Sequence, residues 1–166
     1  MTKSSPNSVQ ELMSAGQSLW VDTISRDMIA GGELRRLVSE VGIRGVTTNP
    51  DIFQKALATS RLYDEAIGKL AGLGNSTLEI YEALVVEDVR KAADILRPVW
   101  EKSGGEDGYV SLEVSPHLAH DAVATMEEAD RLWRAVNRPN LMIKVPATAA
   151  GVVAVEELIA QGINVN

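Results

Sequence analysis

Leu141-Met142-Ile143-Lys144-Val145-Pro146 is a short apolar run that carries one charge. Side chains alternate faces along a β-strand, so Leu141, Ile143 and Val145 share one face while Met142 and Lys144 share the other. Pro146 ends the run, because proline donates no hydrogen bond to a ladder. Four further stretches repeat the plan. In Ser18 to Asp22, Leu19 and Val21 oppose Trp20 and Asp22. In the strand expected from Arg44 to Thr48, Val46 and Thr48 oppose Thr47 and the following Asn49. In Tyr109 to Val114, Val110, Leu112 and Val114 oppose Ser111 and Glu113. In Ile163 to Asn166, Ile163 and Val165 oppose Asn164 and Asn166. Every predicted strand has one largely apolar face and a polar residue at or near the C-terminal end of the other.

Between these strands the apolar spacing is helical. A short helix is expected from Ser8 to about Ala15, closed by Gly16. A second runs from Arg26 to Glu40, broken at Gly31-Gly32, with Leu34, Leu37, Val38 and Val41 on one face. Pro50 suits a first helical turn, and the pattern stays helical almost to Lys102. Its stripes are Ile52, Phe53, Ala56 and Leu57; then Leu62, Ala66, Ile67 and Leu70; then a long one from Ile80 to Trp100. Pro98 is expected to kink or shorten the last. Asp121 to Val136 should turn Val123, Met126, Ala129, Leu132, Trp133 and Val136 inward, and Thr148 to Ala160 forms the final helix. Strands separated by helices make a parallel α/β sheet, doubly wound or closed as a barrel. A length of 166 residues fits one domain, 1–166, with the polar residues 1–7 as a frayed tail.

If the sheet closes, the inward residues at the C-terminal mouth converge from different strands. Asp22, Asn49, Glu113, Lys144 and Asn166 then form one constellation. Lys144 is the informative member. Among apolar sequence neighbours it is expected to be desolvated, which disfavours a lysine's charged form and makes the amine a nucleophile for carbonyl groups. A buried ion pair with Glu113 or Asp22 is compatible, since carboxylates beside such a lysine supply general acid–base catalysis. A protonated imine is its own electron sink, so no metal or cofactor is required.

Composition narrows the classes. Sixteen basic against twenty-three acidic residues give a net charge of −7, and aromatics are only 4%. Both argue against a nucleic-acid partner. The chain has no cysteine, which excludes thiolate catalysis and disulfides. No apolar run approaches the ~20 residues of a membrane span, and the N-terminus lacks a secretory pattern. The cytoplasm is the expected compartment, so Asn75-Ser76-Thr77 is taken as a turn and not a glycan acceptor.

Gly45-Val46-Thr47-Thr48-Asn49-Pro50-Asp51-Ile52-Phe53 resembles the first transaldolase signature. Leu141-Met142-Ile143-Lys144-Val145-Pro146-Ala147-Thr148, followed by Gly151, resembles the second. Trp20-Val21-Asp22, Ser111 to Pro116 and Gly162 to Asn166 are similar to the remaining segments in the family's order. Asp51 departs from the small residue of many relatives, a change expected to touch the loop more than the chemistry. The resemblance implies an eight-stranded (β/α)8 barrel and a class I aldol mechanism without cofactor. In it Lys144 forms the imine, Asp22 is the acid–base residue for carbon–carbon cleavage, and Glu113 acts with water in imine formation. Thr47, Asn49 and Asn166 are the implied substrate-binding residues. The implied substrates are sugar phosphates: a dihydroxyacetone unit moves from sedoheptulose 7-phosphate to glyceraldehyde 3-phosphate.

A whole barrel needs roughly 250 residues, so the sequence is expected to be the N-terminal portion of one, truncated after about five strands. The family's later serine and arginine for the substrate phosphate lie beyond it, and little or no turnover is expected of the isolated chain. Two alternatives stay open: a related Schiff-base sugar-phosphate aldolase, and a non-catalytic remnant that binds a partner through uncovered sheet edges. Oligomeric state is not legible. Other features have plain expectations. His117 and His120 belong to a loop and a helix start. Glu127, Glu128 and Asp130 form a solvated helix face, Glu87-Asp88 a helix-surface pair, and Arg35-Arg36 a solvated surface. Trp100 and Trp133 are core residues.

Overall fold

The computed structural model describes residues 8–166; the tail expected at 1–7 lies outside the described residues. The first helix, α1 (Ser8–Ser14), leads to a two-residue strand, β1 (Trp20–Val21). Helices α2 (Arg26–Ala30) and α3 (Glu33–Arg36) are separated by the expected break at Gly31-Gly32. A π-helical turn at Leu37–Val41 then ends at Gly42, whose φ of 103° is easy only for glycine. Next come β2 (Gly45–Thr47), α4 (Pro50–Thr59), a 3₁₀ turn at Arg61–Tyr63, α5 (Asp64–Gly72) and the long α6 (Thr77–Lys102). The remainder is β3 (Tyr109–Glu113), a 3₁₀ turn at Pro116–Leu118, α7 (Ala122–Val136), β4 (Leu141–Lys144) and α8 (Ala149–Ala160).

Polar side chains set where helices begin. Ser25 caps α2, Asn49 caps α4, Asp121 caps α7 and Thr148 caps α8, each accepting from backbone N–H groups of the first turn. The Asn75-Ser76-Thr77 turn is the start of α6: Ser76 and Glu79 form a reciprocal capping box. Pro98 does not end α6, which continues to Lys102.

The sheet runs in the order β1-β2-β3-β4, and every pair is parallel. This order separates the two architectures left open by the sequence. A doubly wound sheet reverses its strand order part-way, whereas sequential parallel strands with right-handed crossovers keep all helices on one face, as in a barrel wall. The chain is therefore α/β with a barrel-type arc. The fifth strand is less developed than expected. Only Val165 forms a bridge, to Ile143, although Ile143 N donates to Asn164 O and Val145 N to Asn166 O.

One face of the arc is the core. Val46, Val110, Leu112, Leu141 and Ile143 are buried with Val89, Ala92, Ala93 and Leu96 of α6 and Ala129, Leu132 and Val136 of α7. Each of the valine, leucine and isoleucine side chains among them stabilises the fold by roughly 1.5–3 kcal/mol. Trp100 and Trp133 sit half-buried at its margin. Four helical expectations need correction. Val123 is 61% exposed, because α7 turns Thr125 inward instead. Leu62 is exposed and its neighbour Tyr63 is buried, because a 3₁₀ turn there breaks the helical phase. Glu87-Asp88 is not a surface pair: Asp88 is fully buried on the core side of α6. Of the acidic run in α7, Glu128 is partly buried and accepts a hydrogen bond from Ser115 N at 3.3 Å. Arg36 is exposed and pairs with Glu33 one turn away.

Candidate active site

The register places the polar strand ends in rows. Thr47 lies beside Ser111 and Ser111 beside Met142; one layer further on, Glu113 lies beside Lys144. Nζ of Lys144 is 2.5 Å from Oε1 of Glu113. Of the two acids that could meet the lysine, the sheet selects Glu113, because adjacent parallel strands at equal height put the two side chains on the same face.

The surroundings of Lys144 differ from the sequence expectation. Its side chain is 39% exposed and that of Glu113 25%. The apolar neighbours Leu141, Ile143 and Val145 are buried against the helices on the opposite face. Residues adjacent in a strand point away from one another, so apolar sequence neighbours do not desolvate a lysine there. The partner of this amine is a hydrogen-bonded carboxylate, in a half-open site.

The other expected residues fall around this pair. Asn166 donates from Nδ2 to Ser111 Oγ at 2.8 Å, which puts the fully buried Ser111 on the site face. Asn49 is half-buried, and its Oδ1 accepts from Asp51 N and Ile52 N at 3.1 and 3.4 Å. Its carbonyl oxygen is thus committed to capping α4, while its amide NH₂ remains to donate. Asp51, the departure from the family pattern, supplies a negative charge to that first turn, where the helix dipole favours one. Thr47 is half-buried on the site face, its hydroxyl directed to Thr48 O at 3.3 Å. Asp22 is exposed just past β1, and among the described residues its carboxylate has no hydrogen-bond partner. The structure therefore joins Lys144 to Glu113 and Asn166 to Ser111, and leaves Asp22 apart from both pairs.

Two nearby residues escaped the sequence reading. Tyr81, from α6, lines a cleft of about 270 Å³ beside Glu113 and packs edge-on against Phe53. Burial raises its phenol above the ordinary value, and the charges of Glu113 and Asp51 add to the effect. Glu128 borders the same cleft and holds Ser115, two residues past Glu113. A tyrosine in a helical stripe and a glutamate in an acidic run carry no local signal of such roles.

The family model for transaldolase/fructose-6-phosphate aldolase matches residues 19–166. The chain belongs to this family. It is 51% identical over 160 residues to Transaldolase 2 of Nostoc sp., an alignment covering 96% of this chain and 42% of that protein. It is 50% identical over 160 residues to the transaldolase of Thiobacillus denitrificans, covering 96% and 45%. It is 46% identical over 166 residues to the transaldolase of Mycobacterium tuberculosis, covering 100% and 44%. The chain thus spans less than half the length of these transaldolases. Among the described residues no helix is long and apolar enough to cross a membrane.

Proposed function

We propose that the strand ends of this chain carry the Schiff-base chemistry of a transaldolase acting on ketose phosphates in the cytoplasm. The observation that supports it is the Lys144–Glu113 hydrogen bond on the site face of adjacent strands. Nζ of Lys144 attacks the C2 carbonyl of the ketose, and a proton moves from nitrogen to oxygen to give a carbinolamine. Glu113 is within reach to accept the ammonium proton first and to return a proton, through water, to the departing hydroxyl. Loss of water leaves an iminium ion. Asp22 takes the proton of the C4 hydroxyl; the C3–C4 bond breaks, its electron pair flows into the iminium, and an aldehyde leaves. The remaining three-carbon enamine attacks the acceptor aldehyde, and water then releases the new ketose. Thr47, Asn49 and Asn166 hold the hydroxyls of the three-carbon unit.

Reduction with borohydride tests this proposal. A hydride delivered to the iminium carbon fixes the sugar to the protein as a stable amine. Incubation with fructose 6-phosphate and borohydride should add mass at Lys144, and the Lys144→Ala chain should stay unmodified. A folded, unmutated chain that gains no mass at Lys144 would refute the assignment. Product analysis with an acceptor aldehyde separates the reactions: transfer gives a new ketose phosphate, whereas an aldolase releases the free three-carbon ketone.

A further inference from the structure

Strand pairing of β1 ends at Val21, so the ladder does not extend to Asp22. The chain is gripped again at Ile24, which is buried, and at Arg26, the first residue of α2. Arg26 is itself buried against α6. Its Nε donates to Asp88 Oδ1 at 3.0 Å and its Nη2 to Glu87 Oε2 at 2.7 Å. The guanidinium lies 4.6 Å from the centre of the Tyr63 ring. The Tyr63 hydroxyl accepts from Arg26 N at 2.7 Å and donates to Asp88 Oδ2 at 2.8 Å. Tyr63 and Asp88 are each 0% exposed. Both carboxylate oxygens of Asp88 are therefore partnered, and three segments distant in sequence meet in one hydrogen-bonded cycle.

A buried charge pair adds little net stability, because desolvation offsets its attraction. Its value here is geometric. A planar guanidinium fork, a phenol and a carboxylate satisfy one another in few arrangements, whereas an apolar contact between α2 and α6 would tolerate sliding. The segment thus secured begins four residues after Asp22.

We infer that the Arg26–Tyr63–Asp88 cluster is the positioning device for Asp22, fixing the segment between β1 and α2 so that the carboxylate stays at the C-terminal end of the sheet. The inference rests on the proposed role of Asp22 in carbon–carbon cleavage. None of the three residues touches substrate; they act through the path of the chain.

Two readouts on the Asp88→Asn chain test it, with Tyr63→Phe as the milder variant should the first fail to fold. The first is hydrogen exchange. Amides of residues 22–29 should exchange faster in either variant, while those of 141–145 keep their protection. The second is the mass of the borohydride adduct at Lys144. Cleavage before reduction leaves a three-carbon adduct, and uncleaved ketose leaves a six-carbon adduct. A displaced Asp22 slows cleavage roughly 10–100-fold, so the variants should form as much adduct in total with the six-carbon form dominant. Unchanged exchange at 22–29, a uniform rise across the chain, or an unchanged ratio of the two adducts overturns the inference. If the unmutated chain forms no adduct, the Schiff-base assignment fails by itself, and exchange confined to 22–29 still decides whether the cluster holds that segment.

Discussion

Glu113 and Lys144 stand opposite each other on adjacent parallel strands, 2.5 Å apart, and the sheet register alone puts them there. The pair is set by the alignment of Val110 with Leu141 at the other end of the strands, and both of those side chains are buried in the core.

Glu113→Gln keeps a hydrogen-bonding group beside Lys144 but removes its capacity to take a proton. Imine formation should slow by about 10²–10⁴-fold, with little change in thermal stability. The rate of mass gain at Lys144 under borohydride is the measurement. A rate equal to that of the unmutated chain would remove Glu113 from the proton path.

Asn49 Oδ1 caps α4, and the proposed function gives its NH₂ group a second task, holding a ketose hydroxyl. Asn49→Ala should lose about 1 kcal/mol of stability along with ketose binding. Asn49→Ser retains a cap and should keep its stability, yet require a higher ketose concentration for half-maximal adduct. Denaturant midpoints and adduct titrations check the two effects independently; if Asn49→Ser binds ketose normally, the amide has no role in binding.

The Tyr63 phenol is held above its ordinary value of 10.0, chiefly by burial. The unfolded chain releases this proton near the ordinary value and the folded chain retains it. The contribution is therefore fully present below pH 10 and is lost as the pH rises beyond it, by at most about 1.4 kcal/mol per pH unit. Tyr63→Phe should be less stable at neutral pH by roughly 1–3 kcal/mol, but its stability should decline less steeply above pH 10. Urea midpoints measured from neutral pH to above pH 10 for both chains decide it; parallel slopes would contradict the burial of this phenol.

Gly151 follows Lys144 closely in the chain, and a Cβ there would lie 1.8 Å from the carbonyl oxygen of Pro146. Gly151→Ala must push the first turn of α8 away from the end of β4, at a cost of about 1–3 kcal/mol. The denaturant midpoint should fall and adduct formation at Lys144 should slow. An unchanged midpoint would mean that the loop yields freely. Gly45 is confined for a similar reason, because the Trp20 ring occupies the space above it.

The strands and most helix ends were legible because their signals are local. Alternation in Leu141 to Lys144 needs only the strand's own geometry, and Asn49, Asp121 and Thr148 cap helices that begin at the next residue. Three of the misplaced residues share one cause. Asp88, Glu128 and Tyr63 look like ordinary members of a helical pattern, and each takes its role from a partner far along the chain: Arg26, Ser115 and again Arg26.

By itself the sequence determined the order of strands and helices, the two faces of each strand, and the set of polar residues at their C-terminal ends. Only the tertiary structure decided that Glu113 and not Asp22 meets Lys144, that the lysine stays half open to solvent, and that Asp88 is buried within the Arg26–Tyr63 cluster. Alternation and capping act within a few residues, so composition and spacing record them. Register between strands and docking between helices depend on how the whole core packs, and no short stretch of sequence contains that information.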